Sequence, residues 1–278
     1  MKKRISILSI VLTTLLILSS FSVSATGAQS WNNFWNSAEY TDEEIKNAIE
    51  KDSLSYKTYL NYKDNLFDES SVIAQVMPVE HTYTVPVTNF IQEKTNWCGP
   101  ACVRQTLSFH RSKASNSFSL PSQTEIAKKL KVYGNSNGSL STDIASTLNS
   151  YLSDFKVSGK YLSTDINDKS NPGEWLYSIL KDEIKAKTYA PIVLVDTNDP
   201  NGLAQYTKYN EKIRHYNTIS GVKEVEDANL GKIIERSVCR VDPHYKSTFS
   251  GSYWEVYANL YSSVSYADSH GPNKVLIY

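Results

Sequence analysis

The sequence predicts an α+β fold in which a helical part carries a thiol and a β-sheet carries a histidine and a carboxylate. Cys98 stands immediately before an apolar helical stretch, 101–110. Amphipathic helical patterns follow it, and β-rich runs that hold His215 and Asp242 come later in the chain. A chain that combines helical patterns with β-rich runs of this kind is predicted to have a mixed fold of the α+β class.

Residues 1–25 have the basic, apolar and cleavage regions of a secretory signal peptide. Basic residues at 2–4 precede an apolar run, 5–23, and small residues around Ala25 offer a signal-peptidase site. The run is almost long enough to span a bilayer, but it contains several serines and threonines, so we expect removal rather than retention as an anchor. The sequence therefore predicts a secreted protein, extracellular or cell-wall associated, with no membrane contact after cleavage.

Charge and residue spacing exclude several kinds of partner. The full chain has 29 basic and 29 acidic residues, and loss of the signal removes three basic residues and no acidic one, which leaves a formal charge of −3. A basic surface for nucleic acid or anionic lipid is therefore not expected. No Cys/His spacing typical of zinc is present, and the sequence predicts neither a metal nor a cofactor.

Cys98 lies where an anion is stabilised and where a thiol becomes a nucleophile. Pro100 fits the first turn of a helix because its missing N–H would be unpaired there, and Gly99 is expected to give the turn conformational freedom. The unpaired N–H groups and the dipole of a helix N-terminus lower the pKa of a cysteine. Gln92, six residues upstream, is placed to donate an amide hydrogen to an oxyanion near the same spot.

The segment 92–102 resembles the nucleophile segment of papain-like cysteine peptidases. In that superfamily a glutamine precedes the catalytic cysteine by six residues, as Gln92 precedes Cys98. The form Trp-Cys-Gly-Pro-Ala at 97–101 is most similar to the peptidase domain of bacteriocin-processing (double-glycine leader) transporters and to its secreted relatives. The resemblance implies a papain-like fold, in which a helical part carries the cysteine and an antiparallel sheet carries the histidine and the aspartate.

The same resemblance assigns partners to the thiol. His215 opens a β-rich run, where papain-like folds hold their general base, and Asp242 belongs to an Asp-Pro that the family places after its histidine. A carboxylate there would accept the second N–H of the imidazole and stabilise the imidazolium. The resemblance thus implies a triad of Cys98, His215 and Asp242, with Gln92 as an oxyanion-hole residue.

Some assignments stay open at the level of sequence. His244, shortly after the Asp-Pro, competes for the role of the base, and Asn217 competes for the role of the orienting group. The three cysteines leave one thiol unpaired if two of them form a disulfide. Cys102 and Cys239 are either that disulfide or two buried thiols, because sequence does not reveal whether their Cα atoms come within bridging distance.

Local patterns predict the remaining elements. Ser122 and Glu125 have the spacing of a capping box, and Pro172 stands at the start of another amphipathic run. The polar stretch 197–214 is expected to be a surface loop that borders the substrate cleft. Helices are expected at 101–110, 122–130, 144–152 and 172–184, and where Trp254, Tyr257, Leu260 and Tyr261 have helical spacing. Strands are expected at 82–87, 155–162, 190–196, 215–222, 237–241 and 275–278.

Three segments are expected along the chain: the signal peptide at 1–25, a helical N-terminal extension or pro-segment at 26–80, and the catalytic domain at 81–278. A capping box, Thr-Asp-Glu-Glu at 41–44, and an amphipathic run after it indicate a helix in the second segment. That segment shows no evident cleavage signal, which favours an extension packed on the domain over an inhibitory pro-segment.

The function implied by the resemblance is hydrolysis of peptide bonds by a secreted thiol peptidase whose substrate is a peptide or protein. Two other functions stay open. One is a non-catalytic secreted binding or adhesion protein on the same scaffold, and the other is a cell-wall peptide amidase or acyltransferase that uses the same thiol. The leader preference of the transporter-fused relatives is not carried over, because the chain shows neither transporter spans nor a nucleotide-binding domain.

Overall fold

Helices pack on an antiparallel sheet in a computed structural model that describes residues 78–114 and 118–278. The predicted signal peptide, and all but the last three residues of the predicted 26–80 extension, lie outside these ranges. In chain order the elements are β1 (Pro78–Thr84), α1 (Cys98–Lys113), α2 (Gln123–Lys129), α3 (Ser141–Leu152), β2 (Ser163–Thr164), α4 (Pro172–Ala186), β3 (Ile192–Asp196), α5 (Ala204–Tyr209), β4 (Arg214–Asp227), β5 (Lys232–Asp242), β6 (Gly251–Val256), α6 (Tyr257–Ser269) and β7 (Leu276–Ile277). The predicted α+β class is confirmed.

The long strand β4 is the centre of the sheet. Within the described residues the strand order is β2-β7-β3-β4-β5-β6, β1 also pairs with β4, and every pairing is antiparallel. Strands β3 and β1 share one edge of β4, while β5 covers the other edge. The start of β4 is paired with β3, and most of the strand from Thr218 onward is hydrogen-bonded on both sides, which fixes the strand that carries His215.

The register between β4 and β5 brings two predicted site residues to one face of the sheet. Ile219 pairs with Arg240. Because side chains alternate along a strand, His215 lies on the face of Ile219, and Asp242 lies on the face of Arg240. His215 is near the start of β4 and Asp242 ends β5, so the antiparallel pairing puts both at the same end of the sheet.

Helix α1 begins at Cys98 and is buried along most of its length. Ala101, Cys102 and Val103 have no exposed surface, and the helix contacts α2 and α3 as well as β4. Burial of this apolar side is what holds the helix, because hydrophobic contact stabilises it more than intrinsic propensity does. The consequence is that the N-terminus of α1 is fixed against the strand that carries His215.

The role expected for Gly99 is wrong. Gly99 does not have the positive φ that needs a glycine, so freedom of the turn is not what this position requires. A Cβ built on Gly99 would overlap the Oγ and Cβ atoms of Ser139, which lies just before α3. Glycine is therefore required here because α1 and the segment before α3 approach each other closely.

Several local predictions are confirmed. Ser122 caps α2: its Oγ accepts from the N–H of Glu125 at 3.2 Å, and the Glu125 carboxylate accepts from the N–H of Ser122 at 2.7 Å. Pro172 is the first residue of α4. The continuous apolar run after residue 190 forms β3, in which every residue is buried.

The strand predicted at 155–162 is wrong. Phe155 ends a short 3₁₀ turn, Ser153–Phe155, that continues α3. Lys156 and Gly159 have φ angles of 56° and 100°, which are incompatible with an extended chain. Only the two residues of β2 form a strand in this region, because two left-handed residues interrupt the alternation that the sequence shows.

Two further predictions need correction. Trp254 lies on β6, opposite Cys239, and only the later part of its helical pattern becomes α6. Aromatic residues fit a pleated surface well, so a spacing of three residues did not distinguish a strand end from a helix. The stretch 197–214, predicted as a loop, contains the short helix α5, whose Tyr206 is buried.

Among the described residues, no helix combines the length and the apolar character needed to cross a bilayer.

Candidate active site

His215 and Asp242 form a buried hydrogen-bonded pair. Nε2 of His215 donates to Oδ1 of Asp242 at 2.9 Å, and the two side chains are 3% and 0% exposed. Because both side chains are buried, solvent does not compete for this bond, and the carboxylate keeps a proton on Nε2 of His215. The other ring nitrogen, Nδ1, is then left for a group on the opposite side of the ring.

That group is the thiol of Cys98. The Cys98 side chain forms a hydrogen bond with His215, and it also receives hydrogen bonds from the backbone N–H groups of Gly99 and Tyr216. Burial on its own raises the pKa of this thiol, but the bond and charge of His215, together with the two backbone donors, bring it below its ordinary value. These contacts thus stabilise the thiolate of Cys98 relative to that of an ordinary cysteine.

The imidazole shifts in the opposite direction. Burial lowers the pKa of His215, but the charge and hydrogen bond of Asp242, followed by those of the Cys98 thiolate, raise it to about 9. Burial likewise raises the pKa of Asp242, and the charge and hydrogen bond of His215 more than offset this effect and lower it. These opposite shifts favour an ion pair of thiolate and imidazolium, in line with the carboxylate of Asp242.

The side-chain amide of Gln92 is engaged with the backbone of the segment before Cys98. Its Nε2 donates to the carbonyl oxygens of Lys94 and Thr95, each at 2.8 Å, and the side chain is buried. Its Oε1 has no hydrogen-bond partner within the described part of the chain. The backbone N–H of Gln92 donates to the Pro243 carbonyl at 2.7 Å. In the structure Gln92 therefore shapes the turn that precedes Cys98.

The two competing residues have other partners. The ring of His244 lies 5.4 Å from that of His215 between centroids, and burial, followed by the charge of His215, lowers the pKa of His244 to about 4. His244 is therefore neutral at neutral pH. Asn217 accepts a hydrogen bond from Arg240 at 3.3 Å through its Oδ1. The structure brings His215 and Asp242, rather than these two, into line with the thiol.

Sequence reasoning missed two buried residues that contact Asp242. Nη1 of Arg240 lies 2.6 Å from Oδ2 of Asp242, and the hydroxyl of Tyr206 donates to the same oxygen at 2.8 Å. Strand alternation offered a signal for Arg240, because a residue two positions before Asp242 shares its face. Tyr206 gave none, since it comes from α5 in a stretch that the sequence predicts to be a loop.

The other two cysteines are free thiols. Cys98, Cys102 and Cys239 are all buried and unbridged, so the second of the two alternatives for Cys102 and Cys239 holds in the structure. Burial raises the pKa of Cys102 well above its ordinary value, and burial also raises that of Cys239. Over residues 78–114 and 118–278, no group of three or more His, Cys, Asp or Glu side chains is arranged to hold a metal ion.

The fold and this arrangement of side chains define a domain of the cysteine-peptidase type with a papain-like architecture. The model of a family described as the Peptidase_C39 like family matches residues 84–269, which is more than half of the chain. The chain belongs to this Peptidase_C39-like family, and the resemblance predicted from the nucleophile segment is confirmed. The match includes Gln92, Cys98, His215 and Asp242.

One solved structure with a similar chain is titled "Crystal structure of UfSP from C. elegans". It shares 15% identity with this chain at a TM-score of 0.41, and the alignment covers 74% of this chain and 34% of that one, so this chain spans about a third of its length. The comparison with curated proteins gives no match.

Proposed function

We propose that the protein is a secreted cysteine peptidase in which Cys98 is the nucleophile, His215 is the general acid and base, and Asp242 orients His215. The observation that carries this proposal is the hydrogen-bonded line from the thiol through the imidazole to the carboxylate, with 2.9 Å between Nε2 and Oδ1. The opposite pKa shifts of thiol and imidazole support a reactive ion pair. Family membership supports a peptide or protein as the substrate.

Acylation begins when the Cys98 thiolate attacks the carbonyl carbon of a peptide bond. Negative charge moves to the carbonyl oxygen, where the backbone N–H of Cys98 and one amide hydrogen of Gln92 are the proposed donors. Gln92 supplies that hydrogen by exchanging its bond to the carbonyl of Lys94 or Thr95 for one to the substrate. His215 then gives its proton to the departing amine, the C–N bond breaks, and the acyl group stays on sulfur as a thioester.

Deacylation uses the same imidazole as a base. His215, now neutral, accepts a proton from a water molecule while the water oxygen attacks the thioester carbon. Collapse of the second tetrahedral intermediate releases a carboxylic acid and restores the Cys98 thiolate beside the His215 imidazolium. Through both halves Asp242 holds the ring and stabilises the imidazolium without itself taking the proton.

The nucleophile is tested with Cys98→Ala. We expect peptide hydrolysis to fall by roughly 10⁴-fold or more, because no other group supplies the attacking atom, while the thermal unfolding temperature stays close to that of the wild type. Cys239→Ala is the matched control, since both thiols are 9% exposed but the Cys239 pKa is raised. The control should keep its rate, and full activity in Cys98→Ala would end the proposal.

The same assay separates the alternatives that the sequence left open. Products formed with and without an added amine are compared by mass spectrometry, because an acyltransferase passes the thioester to the amine whereas a hydrolase passes it to water. A wild-type protein that neither cleaves a peptide library nor alkylates faster than Cys98→Ala would point to a binding protein on the same scaffold.

A further inference from the structure

Four hydrogen-bond donors hold Asp242 from two sides. Oδ1 accepts from Nε2 of His215 at 2.9 Å and from the backbone N–H of His244 at 2.9 Å. Oδ2 accepts from Nη1 of Arg240 at 2.6 Å and from the hydroxyl of Tyr206 at 2.8 Å. A carboxylate that is bonded at both oxygens cannot rotate without breaking several charge-assisted bonds, so its orientation toward the imidazole is fixed.

Burying the charged guanidinium of Arg240 costs free energy, and its contact distances show which group it interacts with most closely. Its side chain is 0% exposed. Its guanidinium reaches Asn217 Oδ1 at 3.3 Å, Gln205 Oε1 at 3.4 Å and Glu255 Oε2 at 3.7 Å. All of these distances are longer than the 2.6 Å contact with Asp242. A fully buried guanidinium therefore makes its strongest contact with the carboxylate that orients the histidine.

Tyr206 reaches the same oxygen from a different element. It is 1% exposed, and its ring stacks on Phe249 with 4.6 Å between the ring centroids. The ring is fixed by this packing, so the hydroxyl has little freedom to leave Oδ2 of Asp242. Arg240 comes from the strand that ends at Asp242, while Tyr206 comes from α5, and the two converge on one atom.

We propose that Arg240 and Tyr206 are positioning residues of the peptidase reaction, which through Oδ2 of Asp242 keep His215 aligned with Cys98. The inference rests on the proposed function. Neither residue touches a reacting atom, and the effect of each passes through Asp242. Without them the carboxylate turns, the imidazolium is less well aligned, and the thiolate forms only at higher pH.

The charges around Asp242 give the arginine an electrostatic role as well. The titratable and charged groups that face Asp242, Arg240 or Tyr206 come from six parts of the chain: Cys98 and Cys102 from α1, Tyr206 from α5, His215 from β4, Arg240 from β5, His244 after β5, and Tyr253 and Glu255 from β6. Burial raises the pKa of Asp242 and so disfavours its ionised form, whereas the charge of Arg240 lowers that pKa. Together with His215, Arg240 thus offsets the effect of burial and keeps the carboxylate of Asp242 ionised.

Tyr206→Phe is the central test, because it removes one oxygen and keeps the ring. We expect kcat to fall about tenfold with KM unchanged, which is the loss of one hydrogen bond to a charged group. We also expect the acidic limb of the pH profile for the rate of Cys98 alkylation by iodoacetamide to move to higher pH by roughly one unit. The matched control is Tyr161→Phe, since Tyr161 is equally buried and its hydroxyl bonds to His110 at 2.7 Å, outside this site. The control should shift neither quantity.

A pair of variants tests Arg240, so that an effect of losing the charge can be distinguished from an effect of losing stability. Arg240→Lys keeps a charge beside Asp242, and Arg240→Gln does not, so we expect the lysine variant to retain more of kcat and a smaller shift of the acidic limb. In an Asp242→Asn background, Tyr206→Phe should add little, because its effect passes through that carboxylate. Thermal unfolding of each variant identifies any that is not folded.

The outcomes separate this inference from the proposed function. If the wild type neither cleaves peptides nor alkylates rapidly below pH 8, the proposed function and the inference both fall. If the wild type does both, but Tyr206→Phe behaves like Tyr161→Phe, only the inference falls. A full additional loss from Tyr206→Phe in the Asp242→Asn background would also overturn it, since the hydroxyl would then act by another route.

Discussion

Cys98 and Cys102 show that the surroundings of a thiol decide its reactivity. Both are buried on α1, one helical turn apart. Burial raises the pKa of Cys102 well above its ordinary value, whereas the pKa of Cys98 is lowered because His215 and two backbone N–H groups outweigh the same burial. At the scale of the residue, contact with His215 is therefore what separates a reactive thiol from an inert one.

The pH dependence of hydrolysis follows from two of these shifts. The pKa of Cys98 is lowered, so the thiolate is present above that value, and the pKa of His215 is raised to about 9, so the imidazolium is lost above it. We expect kcat/KM to rise as the pH passes the lowered pKa of the Cys98 thiol and to fall as the pH passes about 9, where the imidazolium of His215 loses its proton. The measurement is kcat/KM over a full pH range.

His215→Ala provides the control for this profile. Without the imidazolium, burial again dominates and the pKa of the Cys98 thiol rises. Rapid alkylation by iodoacetamide below pH 8 should then disappear, although the thiol is still there. An equally fast reaction at low pH in the wild type and in His215→Ala would contradict the ion pair.

The variant Gln92→Ala tests whether Gln92 can donate to an oxyanion although its amide bonds to backbone carbonyls in the structure. We expect Gln92→Ala to lower kcat by roughly a hundredfold, which is the usual cost of one oxyanion donor. Gln123→Ala is a matched control, because Gln123 is also buried and clamps the same segment, donating to the Ile91 carbonyl at 2.7 Å. If both variants mainly lose stability and keep kcat, Gln92 only shapes the turn.

At the scale of the element, the position of α1 depends on a close approach rather than on a turn. Gly99 is the second residue of α1, and Ser139 leaves no room for a side chain on it. Gly173 is the second residue of α4, where the nearest atom to an added Cβ would be 3.6 Å away, in the ring of Tyr261. The same residue type thus meets a packing requirement in one helix and not in the other.

This comparison gives a direct prediction of stability. We expect Gly99→Ala to lower the free energy of unfolding by roughly 1–3 kcal/mol, because overpacking moves Ser139 or α1. Gly173→Ala should be neutral or slightly stabilising, since alanine is the better helix former and the space is free. Chemical denaturation of both variants is the measurement, and equal effects would refute the packing argument.

Elements with strong local signals were predicted well from sequence. The capping box at Ser122 and the apolar run of β3 depend on neighbouring residues only, and both are confirmed. The run 155–162 failed because Lys156 takes a left-handed conformation, which single residues other than glycine adopt when the surrounding structure requires it. Alternation alone does not reveal such a break.

At the scale of the whole molecule, the candidate site joins a helical part to the sheet. Cys98 comes from α1, whereas His215 and Asp242 come from β4 and β5. The backbone hydrogen bond from the N–H of Gln92 to the carbonyl of Pro243, at 2.7 Å, joins the segment before Cys98 to the segment after Asp242. Alignment of the site therefore depends on how the two parts pack, and a change at their contact would alter activity without touching the three side chains.

The N-terminal segment 26–80 is predicted to stay on the exported chain without inhibiting it. We propose that cleavage near Ala25 releases a protein whose remaining segment, 26–80, is an extension and not an inhibitory pro-segment. Expressed with its signal in a secreting host, the protein should therefore appear in the medium or wall, begin close to residue 26, and be active at once. N-terminal sequencing and intact mass, measured alongside the hydrolysis rate over time, provide the test.

The inactive variant Cys98→Ala is the control for self-processing. A wild-type chain that shortens and gains activity with time, while Cys98→Ala keeps its length, would show that the segment inhibits. Retention of the uncleaved chain in the membrane fraction would contradict the signal-peptide prediction.

The sequence by itself determined which residues are candidates and which parts of the chain form most of the main helices and strands, although several bounds differ by three to five residues. A cysteine at a helix start with Gln92 six residues before it, a histidine at the opening of a β-rich run and an Asp-Pro at the end of another are local features. Local features survive folding because they arise from backbone chemistry and side-chain periodicity within a few residues.

Only the tertiary structure decided which candidates meet. It brought His215 rather than His244 to the thiol, directed the amide of Gln92 to the backbone, and assembled Arg240 and Tyr206 on the far oxygen of Asp242. These outcomes depend on the β4–β5 register and on the packing of α1 and α5 against the sheet. Contacts between segments far apart in the chain are set by the packing of the whole core, and no short stretch of sequence contains that information.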